Sequence, residues 1–205
     1  MSLLKSSREV SRTAFNRWAD FYNSSRIINK ITGRWDDFLL GLSIPEPVID
    51  LGCATGRLLR KLGDKGYKDL YGIDISESCL KLARRNSLGN KLSLTQGFLE
   101  TLPFKNQSFS GAILSGVLHH LEEPSDSLVE INRILKKQGI FIICEPRFVW
   151  GVRHIVNLVT AIYPVQGDRR FYTYRKIVAL SEKAGFIKKE LYRTMFSYIL
   201  IFEKC

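Results

Sequence analysis

The chain has 205 residues, of which 45% are hydrophobic and 25% charged, a composition typical of one globular domain with a sizeable core. No stretch reaches the roughly 18 consecutive apolar residues of a membrane span, and the N-terminus lacks the apolar core of a signal peptide. The four cysteines lie far apart without a CxxC pair, which disfavours a zinc site or a disulfide framework. We therefore expect a protein of the reducing cytoplasm.

The net charge of +11 is concentrated in the C-terminal third of the chain. Residues 146–205 carry eleven basic and four acidic side chains, whereas residues 41–145 carry 13 and 12. Such a region suits an anionic partner: an acidic substrate, a nucleic acid or a lipid surface. The alternative is a solvated face of lysines and arginines, which is favoured because no basic run is long or interleaved with aromatic residues.

The first forty residues predict a helical cap. Apolar residues within 8–40 recur at mostly helical spacing, which predicts two helices, broken near "NSS" and "TGRWDD". We expect this helical cap at residues 1–40, a ligand-binding core at residues 41–146, and a substrate cap with C-terminal strands at residues 147–205. All three parts are expected to belong to a single domain.

Strand and helix patterns alternate through residues 47–146. The strand patterns are "PVIDLG", "DLYGIDIS", "KLSLTQGFL", "FSGAILSGV" and "GIFIICEP". The helix patterns are "GRLLRKLGDKG", "SESCLKLARRNSL", in which Ser76 is a suitable N-cap, and "PSDSLVEINRILKKQG". A last helix pattern, "FYTYRKIVALSEKAG", precedes two strand patterns, "FIKKELYRT" and "FSYILIFEK". The order predicts a doubly wound α/β fold: a mostly parallel, seven-stranded, Rossmann-like sheet with an antiparallel edge hairpin.

The stretch "VIDLGCATGRLLRKLG" predicts a ligand site, because ligands of open α/β sheets bind beyond the carboxyl ends of the strands. Gly52 and Gly56 would allow a tight turn and a close approach to a ligand. A dinucleotide fingerprint would also need glycine at the positions of Ala54 and Arg57. The pattern therefore disfavours a pyrophosphate ligand and suits a smaller anion, such as an amino-acid carboxylate.

Two acidic residues accompany this turn. Asp74 ends the second predicted strand, 22 residues after Gly52, close to the spacing at which an acid accepts hydrogen bonds from ribose hydroxyls. Its alternative role is an N-cap, although Ser76 suits that role better. Asp50 either holds the loop through backbone amides or faces a ligand ammonium group.

Five segments, "VIDLGCATGRL", "YGIDIS", "GFLETLPF", "FSGAILSGVLHHL" and "LVEINRILKKQGIFIICEP", occur in the order and spacing of class I S-adenosylmethionine-dependent methyltransferases. The chain most resembles the branch that methylates small molecules, quinones and lipids, over roughly residues 46–146. "FNRWADFYN" also resembles the N-terminal helix of this branch, in which aromatic residues cover the cofactor. Trp18 and Tyr22 would do so here, or would pack in the core.

The resemblance implies S-adenosylmethionine as the cofactor and assigns residues to it. A loop around the methionine part would consist of Asp50, Gly52, Cys53, Ala54 and Gly56. Asp74 would hold the ribose, Ile75 would pack on the adenine, and Phe98 and Leu99 would lie at its edge. Ser115, Gly116 and Val117 would line the cofactor beneath the methyl group.

The sequence departs from the family at Phe98, where an acid usually accepts a hydrogen bond from the adenine amino group. This departure supports a second hypothesis, a non-catalytic cofactor-binding protein with the same fold. "KKQG" replaces the usual K-P-G-G in a loop that is structural in the family. A third hypothesis is an RNA-directed methyltransferase that uses the basic C-terminal region.

Catalysis and acceptor choice are expected to involve two further segments. His119 or His120 could deprotonate a hydroxyl or an acidic carbon, or could instead bind backbone at a helix start. No Asp/Asn-Pro-Pro-Tyr motif or cysteine follows the fourth strand, so by resemblance no stable nucleic-acid partner is expected. Residues 146–174 mix apolar residues with arginines, which predicts a cap over a small-molecule or lipid-like acceptor and contact with a membrane surface. The alternative is a core helix that closes the sheet.

Overall fold

The computed structural model describes residues 12–17, 19, 26–87, 92–121, 123–148, 150–162 and 170–205. The strands within these ranges form one seven-stranded sheet, and the helices pack on both of its faces. The helices are α1 Arg26–Gly41, α2 Arg57–Asp64, α3 Glu77–Asn86, α4 Pro124–Ile134, α5 Trp150–Ile162 and α6 Tyr174–Lys183. The strands are β1 Val48–Leu51, β2 Leu70–Asp74, β3 Leu92–Gln96, β4 Phe109–Ser115, β5 Leu135–Pro146, β6 Phe186–Arg193 and β7 Ser197–Lys204.

The strand order is β3-β2-β1-β4-β5-β7-β6, which confirms the predicted sheet. The first five strands in this order are parallel, whereas β7 pairs antiparallel with both β5 and β6. The order reverses between β1 and β4, where Asp50 lies opposite Ile113. The carboxyl ends of these two strands therefore flank the crevice in which open α/β sheets bind ligands.

Helices cover the two faces with separate apolar cores. On one face, Leu128 and Ile131 of α4 and Ile177 of α6 pack in the same buried cluster. On the other face, Trp35 of α1 and Leu59 of α2 belong to a second cluster. These side chains are almost fully buried, which accounts for the nearly continuous apolar sequences of the central strands.

The expected helix break at "TGRWDD" is wrong, because α1 continues through it. Gly33 has open space around it, so its missing side chain costs no packing there. Trp35 and Leu39, four residues apart, are both buried on the same helix face. Asp36 is also buried and pairs with Arg57 of α2. These tertiary contacts outweigh the weak helix propensity of glycine. The predicted break at "NSS" lies outside the described residues.

The helix expected over "PSDSLVEINRILKKQG" is shorter than predicted and ends at Ile134. Leu135 is already extended, at φ −76° and ψ 142°, and pairs with Phe109 in the sheet. The Nζ of Lys204 donates to the carbonyls of Asn132 and Leu135, which satisfies acceptors that the helix end leaves open. Strand pairing and this cation therefore stop the helix one turn before the glycine.

None of the helices in the described ranges is long and apolar enough to cross a bilayer.

Candidate active site

The turn after β1 has the backbone of a ligand-binding loop. Gly52, Ala54 and Gly56 have positive φ angles of 80°, 45° and 72°. The amides of Gly52 and Cys53 donate to the carbonyl of Ile73 at 2.8 and 3.0 Å, which fixes the turn against the end of β2. Burial raises the pKa of the Cys53 thiol, so this side chain stays protonated and serves as core. Gly56 then caps α2 in the left-handed conformation.

The loops after β1 and β4 touch at Gly52. An added Cβ at Gly52 would lie 2.5 Å from Cγ2 of Val117, so the two segments expected around the cofactor meet here. An added Cβ at Gly116 would lie 3.1 Å from the Trp35 ring of α1. Any side chain at Gly52 would occupy the space between the loops.

Gly52→Ala is expected to lower the free energy of unfolding by about 2–4 kcal/mol, from left-handed strain plus the clash with Val117. Gly66→Ala is the matched control, because Gly66 has φ +110° but nothing within 4 Å. It should cost about 1–2 kcal/mol, from backbone strain without a clash. Urea unfolding measures both, and a Val117→Ala background should remove most of the difference. Equal costs for the two alanines would contradict the close approach of the loops.

Asp74, at the end of β2, binds the glycine loop directly. Its Oδ2 accepts from the amide of Ala54 at 2.8 Å, and its Oδ1 accepts from the amide of Ser76 at 2.8 Å. Burial raises the pKa of Asp74, and these amides act in the opposite direction. The contact to Ala54 also stabilises that residue in a conformation that costs alanine about 1 kcal/mol. Each carboxylate oxygen can accept a further hydrogen bond, as a ribose diol would require.

The residues expected around the adenine lie next to the end of β2, where Asp74 is located. The amide of Gly97 donates to the carbonyl of Asp74 at 3.1 Å, which brings Phe98 and Leu99 next to β2. Gln96 donates from its side chain to the carbonyl of Ile75 at 3.1 Å. Leu99 is buried, whereas Ile75 and Phe98 are half-buried and retain accessible surface. Ser76 accepts from the amide of Cys79, as predicted for the N-cap of α3.

A cluster of charges around the buried Asp36 lies close enough to Asp50 to influence its pKa. Asp36 of α1 forms ion pairs with Arg57 and with Lys61, the latter at 3.1 Å. Burial raises the pKa of Asp36 despite these cations. Burial also raises the pKa of Asp50 to about 7, with further contributions from the charges of Asp36 and Asp74, while Arg57 opposes the shift. Asp50 is therefore largely protonated below neutral pH.

This shift predicts that the ligand-free protein loses stability as the pH rises. The unfolded carboxyl titrates near 3.9, so between about pH 4 and pH 7 the folded state holds more protons at Asp50 than the unfolded state does. The free energy of unfolding should be lower at pH 8 than at pH 5 by about 2–3 kcal/mol. Asp50→Asn should remove most of this difference. Urea unfolding of both proteins at the two pH values tests it, and an unchanged difference would contradict a buried, proton-binding Asp50.

His119, in the loop after β4, forms a buried pair with Glu145 of β5. Nδ1 of His119 lies 2.8 Å from Oε2 of Glu145, and Oε1 of Glu145 accepts from the amide of Leu118 at 2.8 Å. Both side chains are buried. Because an ionised carboxylate only accepts hydrogen bonds, the pair assigns the proton of a neutral His119 ring to Nδ1. Nε2 then carries the lone pair that a general base needs.

Aromatic rings enclose this pair. Phe171 stacks on the His119 ring with centroids 4.7 Å apart, and Phe148 packs edge-on against Phe171 at 4.8 Å. Asn157 of α5 binds both the amide and the carbonyl of Phe171, at 2.8 and 3.2 Å. The backbone amide of residue 170 also donates to the carbonyl of His119 at 3.1 Å. The segment before α6 thus lies over the loop after β4.

An N-terminal helical segment, residues 12–17, links the two halves of the site. Oδ1 of Asn16 accepts from Oγ of Ser76 at 2.7 Å, beside the end of β2. The adjacent Phe15 packs edge-on against His120, with centroids 5.0 Å apart. The segment therefore reaches from the Asp74 side to the histidine side. The predicted cap residues Trp18 and Tyr22 lie outside the described residues.

Among the described residues, the structure brings the predicted ones together at the carboxyl ends of the strands, in the two connected loops after β1 and β4 and beside the end of β2. Sequence reasoning missed three residues there: Asn16, Asp36 and Glu145. Glu145 had a recognisable signal, because it is an acid at the carboxyl end of an apolar strand, like Asp50 and Asp74. Asn16 and Asp36 had no recognisable signal in the sequence, because their partners are distant along the chain.

Comparison with known proteins agrees with this arrangement. A family model described as a methyltransferase domain matches residues 49–143. A demethylmenaquinone methyltransferase of Lactiplantibacillus plantarum is 26% identical over 167 residues, which are 68% of this chain and 69% of that protein. The biotin biosynthesis bifunctional protein BioHC of Teredinibacter turnerae is 24% identical over 87% of this chain, and the match spans only 33% of that protein.

The fold also has solved counterparts. The crystal structure of a SAM-dependent methyltransferase of Thermotoga maritima has a TM-score of 0.78 and 21% identity, over 94% of this chain and 99% of that one. This likeness shows the class I methyltransferase fold, and residues 49–143 match a methyltransferase domain, for which the implied cofactor is S-adenosylmethionine. The resemblance of the five segments is thereby confirmed.

The described residues fit this cofactor. Asp74 keeps acceptor capacity for a diol, and the turn at Gly52 brings no side chain into the space between the loops. Asp50 is the acid nearest in sequence to this turn, at the end where the methionine ammonium is expected.

Proposed function

We propose that the chain transfers a methyl group from S-adenosylmethionine to a hydroxyl or an acidic carbon of a small, hydrophobic or lipid-like acceptor. In this proposal His119 removes the proton of the acceptor and Glu145 orients the histidine. The observation that carries it is the buried His119–Glu145 pair beneath Phe171, directly after the segment expected to lie under the reactive methyl group.

The aromatic surroundings support the acceptor class. Phe148 and Phe171 offer ring faces and edges rather than charges around the pair. Aromatic residues bind flat apolar molecules well, and a few polar groups among them fix orientation. The name of one relative, demethylmenaquinone methyltransferase, is consistent with an acceptor of this kind.

Most of the catalysis would come from positioning. The cofactor supplies a methyl group on a good leaving group, so the protein must align the acceptor and exclude water. Orientation alone can contribute as much as about 7–11 kcal/mol. His119 would accept the acceptor proton at Nε2 while Glu145 stabilises the resulting imidazolium through Nδ1. The residue 12–17 segment and the loop around Phe171 would keep water out.

The proposal is tested with methyl-labelled S-adenosylmethionine and a cell extract, with and without its membrane fraction. We expect label in an organic-extractable compound, more strongly when membranes are present. Calorimetry with the cofactor is the accompanying measurement. No saturable binding would support the non-catalytic alternative. Label in RNA, with binding that falls steeply as salt rises, would support the RNA-directed alternative.

A further inference from the structure

We propose that the outer face of α5 and the β6–β7 turn together dock on an anionic lipid bilayer. We call the exposed apolar residues of these two elements the docking patch. They are Val152, Ile155, Leu158, Met195 and Phe196. The proposal goes beyond methyl transfer, and only its last consequence below depends on the proposed function.

The helical half of the patch is an apolar stripe that faces solvent. Val152, Ile155 and Leu158 are 45%, 65% and 62% exposed, at three-residue intervals along α5. With about 100° of rotation per residue, the three side chains fall within one third of the helix circumference. Asn157 is rotated by about 200° from Ile155, so the residue that binds Phe171 lies on the opposite face. The helix is thus held on its polar side and presents its apolar side.

The second half of the patch is the turn between β6 and β7. Met195 and Phe196 are 71% and 62% exposed, which is unusual for two consecutive large apolar residues. Arg147 joins this turn to the other half, since its amide donates to the carbonyl of Phe196 and its guanidinium donates to the carbonyl of Thr194, both at 2.8 Å. Arg147 lies three residues before the start of α5, so the chain itself keeps the start of the helix within about 10 Å of this residue.

The charges near the docking patch indicate what binds to it. The sequence of α5 contains no acidic residue. Arg147 and the exposed Arg193 flank the turn, and residues 146–205 carry eleven basic against four acidic side chains. Apolar side chains next to cations bind the boundary of an anionic bilayer, where the former enter the acyl region and the latter meet lipid headgroups. The patch therefore fits an anionic lipid surface.

Docking would place the acceptor site at the membrane. The chain of contacts from α5 through Asn157 and Phe171 to His119 connects the docked helix to the proposed base. If the proposed function holds, a lipid-like acceptor would pass from the bilayer beneath α5 without crossing bulk water.

Sedimentation with lipid vesicles tests the docking. One set contains phosphatidylcholine alone and the other adds about 30% phosphatidylserine. The full chain should sediment with the anionic vesicles, and less so as salt rises. Ile155→Asp and Met195→Asp should each weaken binding by about tenfold or more. Val129→Asp is the matched control, since Val129 of α4 is 56% exposed and the new charge is the same. It should bind like the unmodified chain.

Three results would overturn the proposal. The first is that the unmodified chain does not sediment with anionic vesicles, and the second is that Ile155→Asp and Val129→Asp weaken vesicle binding equally. The third is that the chain binds no vesicles but forms a dimer in solution that Ile155→Asp abolishes. Calorimetry with S-adenosylmethionine confirms that each variant is folded. Vesicle binding needs no turnover, so methyl transfer without docking refutes the patch alone, and docking without methyl transfer refutes the proposed function alone.

Discussion

Asp74→Ala is expected to weaken the binding of S-adenosylmethionine at least tenfold, which calorimetry measures directly. The carboxylate would accept both ribose hydroxyls, and hydrogen bonds to a charged group contribute about 1.5–3 kcal/mol each. The same carboxylate holds the amides of Ala54 and Ser76, so its removal also loosens the glycine loop. Asp74→Asn should lose affinity too, because its NH₂ group would face one of these two donors.

A Ser76→Ala control separates the loss of ribose binding from the loosening of the glycine loop. Ser76→Ala removes the N-cap of α3 and the contact to Asn16 but leaves the Asp74 carboxylate in place. It should cost about 1 kcal/mol of stability with less than tenfold change in cofactor affinity. Unchanged affinity in Asp74→Ala would remove Asp74 from the cofactor site.

His119→Ala is expected to lower kcat by about a hundredfold to ten-thousandfold for an acceptor that must lose a proton. The measurement is the pH dependence of kcat/KM with the acceptor found by the labelling screen. The unmodified enzyme should show a rise of kcat/KM with pH as the base loses its proton, and His119→Ala should lack this rise. His120→Ala should cause a smaller loss, below about tenfold, because Glu145 pairs with His119.

Glu145→Gln tests how His119 is oriented. Glu145 accepts from two donors, the amide of Leu118 and Nδ1–H of His119, whereas glutamine offers one oxygen. Its NH₂ group would donate to Nδ1 and move the ring proton to Nε2, so the base would be lost without a change of shape. We expect kcat to fall while KM changes little. A pH profile identical to that of the unmodified enzyme would show that the pair is structural.

The sheet and the position of the site could be predicted from local patterns. Parallel strands buried on both faces give apolar runs such as "VIDLG" and "GIFIICEP", and the acids Asp50 and Asp74 mark their carboxyl ends. The turn at Gly52 could be predicted because it depends only on the local backbone conformation. The predicted roles of these residues toward the cofactor stay predictions.

Long-range pairing could not be predicted in the same way. The continuity of α1 through Gly33 depends on the pairing of Asp36 with Arg57, and the end of α4 depends on Lys204, 70 residues further along the chain. Phe171 is held beside His119 by Asn157 and by the hydrogen bond from the amide of residue 170 to the carbonyl of His119. Each of these contacts joins residues whose separation along the chain follows no local period. The sequence therefore reveals the strand-end site better than the cap above it.

The central claim is that the crevice between the ends of β1, β2 and β4 binds the cofactor. A crystal structure with S-adenosylhomocysteine is the most direct measurement. The account predicts the ribose hydroxyls within hydrogen-bond distance of Asp74 and the amino-acid end beside Gly52. A nucleoside bound elsewhere, or a crevice filled by the protein's own side chains, would contradict it.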